Sequence, residues 1–204
     1  YTESEAMVGS KFAALPMPLG KIAGLTGVEE SALKTILDGM SDKGLVLDIP
    51  RKDTVYYMLT PMLVGFFEYT FMRTGSNLDL KELAELFETY FHSPGVMEEI
   101  AGLDTKVMRT LIYENLIPLA VETEVLDYEK ASFIIRQAGG GAISTCACRH
   151  EAVHLDKACD APLEVCMSLG GAAEWIVRKG LGKPASVEEL LEVLKKTQEL
   201  GLVH

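Results

Sequence analysis

A chain of 204 residues with 48 % hydrophobic and 24 % charged positions has the make-up of an ordinary globular protein, long enough for one or two domains with proper cores. Nineteen Lys and Arg against thirty Asp and Glu leave a formal charge of −11, which removes the usual driving force for non-specific nucleic-acid binding. The longest apolar runs, such as residues 62–67, are far too short to cross a bilayer, so no membrane segment is expected.

Residues 19–61 read as a helix-turn-helix followed by a wing. A short helix over 19–25 meets Thr26-Gly27-Val28-Glu29, whose threonine and glutamate, three apart, match a capping box for a second helix running to about Asp42. Val28, Ala32, Leu33, Ile36, Leu37 and Met40 place its apolar positions on one face, and Lys43-Gly44 stops it. Residues 45–49 and 55–59 are short β-rich runs flanking Pro50-Arg51-Lys52-Asp53, the tip of the wing. Such modules often dock on DNA. Here the second helix carries Glu29, Glu30, Asp38 and Asp42 against Lys34 and Lys43, and only Arg51 and Lys52 are placed for phosphate. Nucleic acid is therefore disfavoured as a partner, and protein docking or homodimerisation through the winged helix is expected instead.

Residues 61–73 read as one apolar, aromatic helix used for packing. Asp79 with Glu82 caps a further helix to about Phe91, with Leu80, Leu83, Leu86 and Phe87 facing inward and His92 as a charge on its C-terminal dipole. Between 94 and 125 the signals are mixed: 106–113 fits helix or strand, Pro118 breaks it, and 121–125 alternates like a strand. Asp127 opens a helix through Ala138, closed by Gly139-Gly140-Gly141, and 142–146 has strand character, so strand, helix and strand make a candidate βαβ unit. Two helices follow over 170–179 and 187–200, the first ended by Gly180, the second capped by Ser186 and Glu189 and closed by Gly201. Trp175 is expected in the core. The fold class is thus α+β and mostly helical, with a winged helix-turn-helix module over 1–75 joined to a mixed helical domain over 76–204.

All four cysteines fall in one stretch of that second domain, Cys146, Cys148, Cys159 and Cys166, in the pattern C-x-C-x10-C-x6-C. Thiolates are soft donors, and four of them suit a tetrahedral zinc or a four-iron cluster equally well. The spacing matches neither the common zinc spacings nor the standard ferredoxin runs, so it points to a metal without choosing one. Cys146 and Cys148, two apart, aim at one centre from an extended or tightly turned segment rather than a regular helix. Disulfides need an oxidising compartment, and clustered thiols without an export signal point to the reducing cytoplasm. Buried free cysteines behave as small hydrophobes and account for one or two of the four more readily than for all. Within the cluster, His150-Glu151-Ala152-Val153-His154 matches H-E-x-x-H, with Glu174 as a conceivable third zinc ligand. Flanking thiolates would compete for that metal and close the open site hydrolysis needs, which disfavours a metalloprotease. Arg149 and His150 are better placed as neighbours that tune a cluster by hydrogen bonding or charge.

Four segments together resemble a known family. Cys146-Ala147-Cys148-Arg149-His150, Cys159-Asp160-Ala161-Pro162-Leu163-Glu164-Val165-Cys166, Ser168-Leu169-Gly170-Gly171-Ala172-Ala173 and Glu199-Leu200-Gly201-Leu202-Val203-His204 look like bacterial and archaeal ferredoxin-type iron-sulfur proteins with a long N-terminal extension. Residues 44–50 and 54–67 look similar too, so the likeness covers nearly the whole chain. In that family the segment after the equivalent of Leu202-Val203-His204 leads into a ferredoxin domain with two four-iron clusters. That domain is absent here, and a fragment of a longer protein, or a form without the ferredoxin unit, is expected.

The resemblance implies an electron-transfer component rather than a stand-alone catalyst, holding one [4Fe-4S] cluster at Cys146, Cys148, Cys159 and Cys166. Its expected partner is a ferredoxin-type domain or a redox enzyme. The alternative is a winged-helix regulator or adaptor with a structural or sensing zinc at the same cysteines.

Overall fold

Hydrophobic spacing and capping residues set most of the elements. The structure, a computed structural model, describes residues 1–13, 15–75, 78–96, 98, 102, 110–111 and 130–202. The chain divides into two units, Tyr1–Thr70 and Phe71–His204. Each has its own sheet, and the class is mixed α+β.

In the first unit, α1 (Glu3–Gly9) starts from a capping box between Thr2 and Glu5. It is followed by β1 (Met17–Pro18), α2 (Leu19–Thr26), α3 (Glu30–Asp42), β2 (Val46–Arg51) and β3 (Thr54–Leu59). The strands form an antiparallel sheet in the order β1-β3-β2. Leu33, Leu37 and Met40 of α3 pack with Val8, Ile22, Val46 and Tyr57 into a dry core, each aliphatic side chain contributing about 1.5–3 kcal/mol by burial. Ala32, expected on that face, is exposed.

The cap of α3 differs from the capping-box expectation. The Glu29 carboxylate itself accepts from the Ser31 and Ala32 N–H groups, while Thr26 Oγ1 donates back to the Ile22 carbonyl at 2.9 Å. Gly27 turns the chain between the two helices with φ +70, a conformation costly for other residues. Glu5 is buried and paired with Lys43 at 2.8 Å, which ties α1 to the end of α3.

Residues 61–73 are not one helix. Leu63 is extended and Val64 left-handed, so Met62–Phe66 forms an irregular turn, and only Phe67–Phe71 (α4) is regular.

The second unit begins its regular structure with α5 (Leu80–Phe91), capped by Asp79 accepting from the Glu82 N–H at 3.0 Å. Ala84 and Phe87 are its buried positions, whereas Leu86, expected inward, is exposed. Then come α6 (Ala131–Ala138), β4 (Gly141–Thr145), α7 (Ala147–His154), β5 (Glu164–Leu169), α8 (Gly170–Arg178), β6 (Gly182–Ala185) and α9 (Val187–Glu199). The mixed region over 94–125 and the helix opening at Asp127 lie almost wholly outside the described residues, as does the first strand of the proposed βαβ unit. What is described is antiparallel: β4 lies between β5 and β6 and pairs with both. Ala131 and Ile135 of α6 meet Leu190 and Leu194 of α9 over Ile143 and Met167 of the sheet. Trp175 is buried in α8, as expected. The Ser186–Glu189 capping box opens α9, also as expected.

Candidate metal centre

The cysteine segment is laid out by the end of a strand. The β4–β5 ladder shifts register between Ser144 and Thr145, so the chain leaves the sheet there and turns into α7. Cys146 sits at that turn with φ −66 and ψ 107, its N–H donating to the Leu163 carbonyl at 2.7 Å, and acts as the residue before the first helical turn. Cys148 lies inside that first turn. Of the extended or tightly turned segment expected for a two-residue spacing, only the turn at Cys146 is present: Cys148 is helical, and one non-helical residue suffices to bring the two thiols together.

The consequence is electrostatic. The Cys146 thiol is pulled down from its ordinary 9.0 to about 6, chiefly by a hydrogen bond from the Cys148 thiol. The Arg149 backbone N–H, the Arg149 charge and the Cys148 N–H add to it, and burial opposes them. A helix start offers unsatisfied N–H groups to an anion, and here the sulfur of Cys146 takes them.

Cys166 arrives from β5, opposite Ser144 of β4, whose hydroxyl faces the Cys166 carbonyl at 3.4 Å. Cys146, Cys148 and Cys166 line one cavity of about 390 Å³, walled by apolar side chains that include Ile134 and Ile135 of α6 and Met167 of β5. Arg149 also lines it. One guanidinium nitrogen, Nη2, donates to the Pro162 carbonyl, while Nε is buried without a hydrogen-bond partner.

Cys159 is exposed in the chain between α7 and β5 and is not part of the cavity wall. Among the described residues, no three His, Cys, Asp or Glu side chains are gathered closely enough to hold a metal ion. Three of the four expected ligands thus share a cavity, and the fourth stands on the loop outside it. By chemical type, soft sulfurs, one of them ionised near neutral pH, and the buried Arg149 Nε beside them are donors that suit a thiophilic metal group, although the described side chains are not gathered into a metal site.

His150 lies on α7 with its Nδ1 2.6 Å from the Phe71 carbonyl, which anchors the helix. The His150 and His154 rings are 5.0 Å apart, so the H-E-x-x-H pattern does stand on a helix with both histidines on one face. Burial pushes the Glu151 carboxyl up, and the Glu88 charge adds to that. Glu174 is on α8, in the wall of a different cavity formed with Gly139–Gly141, and does not join the histidines.

Sequence reasoning missed the apolar walls from α6 and β5, although the spacing of Ala131, Ile134 and Ile135 on α6 was the available signal. No protein-family profile, curated protein or solved structure matches the chain.

Proposed function

We propose that the chain is an electron-transfer component that holds one [4Fe-4S] cluster through Cys146, Cys148, Cys159 and Cys166. The observation that carries this reading is the shared cavity of Cys146, Cys148 and Cys166, three thiols from two elements opening on one apolar space. When bound, the cluster supplies one-electron redox chemistry. The chain's own residues do the rest. Cys146 offers a sulfur already ionised near neutral pH, and Ile134, Ile135 and Met167 give the half-buried Cys146 and Cys166 an apolar wall, while Cys148 stays exposed. The unpartnered Arg149 Nε gives a positive donor toward an anionic group, which raises its potential. Cys159 supplies the last ligand from its loop.

The first unit is read as a winged-helix module. The α2–α3 pair, the β2–β3 hairpin as wing and β1 closing the sheet on β3 support that reading. Its role is docking on protein. Both lysines of the α3 region are engaged by carboxylates, Lys34 with Asp38 at 2.6 Å and Lys43 with Glu5 at 2.8 Å. The acidic surface steers a basic face of a ferredoxin-type domain or redox enzyme.

Anaerobic isolation followed by iron, acid-labile sulfide and zinc analysis tests the reading. A brown protein with four irons and four sulfides per chain, lost in the Cys146→Ser and Cys166→Ser variants, is expected from the cluster's own stoichiometry. A colourless protein with stoichiometric zinc overturns it and selects the regulator or adaptor with a structural zinc.

A further inference from the structure

His150 and His154 stand one turn apart on α7, half-buried, and neither lines the thiol cavity. The Nδ1 of His150 lies 2.6 Å from the Phe71 carbonyl, which can only accept, so Nδ1 carries the proton and the lone pair of the neutral ring is left on Nε2. That is how a metal-binding histidine is held: its second ring nitrogen donates to a backbone carbonyl, which fixes both tautomer and ring direction. His154 Nε2 is buried with no hydrogen-bond partner among the described residues, a costly state for a polar atom unless a water or an ion stands beside it.

The ring spacing fits one shared ion. A metal about 2.1 Å from a ring nitrogen lies about 3.2 Å from the centre of that ring, so two imidazoles on one ion at octahedral to tetrahedral angles have centres about 4.5–5.2 Å apart. The His150 and His154 centres are 5.0 Å apart, with 51° between the ring planes. Imidazole suits zinc, nickel and copper(II) among divalent ions. We propose that His150 and His154 together bind one divalent ion of this zinc class through their Nε2 atoms, water or an outside ligand filling its other positions. Among the described residues no third His, Cys, Asp or Glu joins the pair, which leaves the site one protein ligand short of a catalytic zinc. It shares no ligand with the four cysteines and stands whether or not they hold a metal.

Isothermal titration calorimetry with zinc chloride tests it on the full chain, its thiols blocked with iodoacetamide so that they take no metal. Far-UV circular dichroism checks that the blocked chain keeps the parent's fold, and a chain with all four cysteines changed to serine replaces it if alkylation disturbs the fold. Saturable binding of one zinc per chain is expected. His154→Ala and His150→Ala should each weaken it about tenfold or more, since even a group behind a metal ligand is worth that much, while His92→Ala and His204→Ala bind like the parent. His154→Ala is the deciding variant, because it leaves the bond from His150 to Phe71 in place. Copper(II) bound to the same chain should show hyperfine splitting from two nitrogens in its electron paramagnetic resonance spectrum. No saturable zinc binding overturns the proposal, as does a His154→Ala chain that binds like the parent or an equal loss in His92→Ala.

Discussion

Cys146 is acidic because of where it stands, and that can be measured on the metal-free protein. Its thiolate collects the Cys148 thiol, two N–H groups of the first helical turn and the Arg149 charge. Iodoacetamide labelling followed by mass spectrometry should show Cys146 half-reactive near pH 6, and Cys148→Ala should move that midpoint upward, since its thiol is the largest cause of the shift. The sign for stability follows. The folded pKa lies below the unfolded one, so the contribution is complete above about 9 and is lost as pH falls through about 6. The melting temperature of the metal-free chain should therefore rise with pH across that window.

Glu5 makes the same argument among carboxylates. Lys43 hydrogen bonding, then the Thr2 N–H, hold it below the usual 4.5, so its support is present above 4.5 and disappears in acid. Lys43→Met leaves a buried carboxylate with Thr2 but without its cation and should cost about 1–2 kcal/mol at pH 7 by urea denaturation, with a smaller loss below pH 4. Neither effect was legible in the sequence. A two-residue cysteine spacing reads as non-helical, and only the turn after β4 shows that one non-helical residue is enough. Glu5 and Lys43 are far apart along the chain.

Among the elements, legibility follows local chemistry. Helices α3, α5 and α9 are announced by caps and apolar spacing and lie close to where those signals put them. The irregular turn at Met62–Phe66 is not, because apolar content alone does not distinguish a helix from a packed turn. Strand β6 escapes notice since Gly182-Lys183-Pro184-Ala185 has no β-branched residue. It is an edge strand, where Pro184 is tolerated.

Two expectations belong at this scale. Electrophoretic mobility assays with duplex DNA at physiological salt should show no shift, because the α3 cations are already engaged by Asp38 and Glu5. Retardation would mean those pairs open on contact. In β4, a Cβ on Gly141 would stand 2.3 Å from the Ser168 carbonyl oxygen, a backbone atom that cannot step aside. Gly141→Ala should therefore cost about 1–3 kcal/mol in chemical denaturation, the usual penalty for overpacking.

For the molecule as a whole, two units with separate cores imply two separate stabilities. The thiols all lie in the second unit, so removing a bound metal by chelation should lower the thermal transition of Phe71–His204 and leave that of Tyr1–Thr70 in place. Differential scanning calorimetry with and without chelator checks this, and a single transition that shifts as a whole would contradict it. The gathering of the four thiols in one short stretch was readable from residue types. The apolar chamber around the thiols was not, since its walls come from α6 and β5 and exist only once the sheet is formed.

Strand β4 is bonded along both edges, by β5 on one side and β6 on the other. Its amides should exchange with deuterium more slowly than those around Cys159, which belong to no ladder. Cys146 follows directly on that strand and is moored to the part that breathes least, whereas Cys159 rides on chain that solvent reaches first. Release of the group proposed to sit there should accordingly begin at Cys159, with Cys146 the last sulfur to let go.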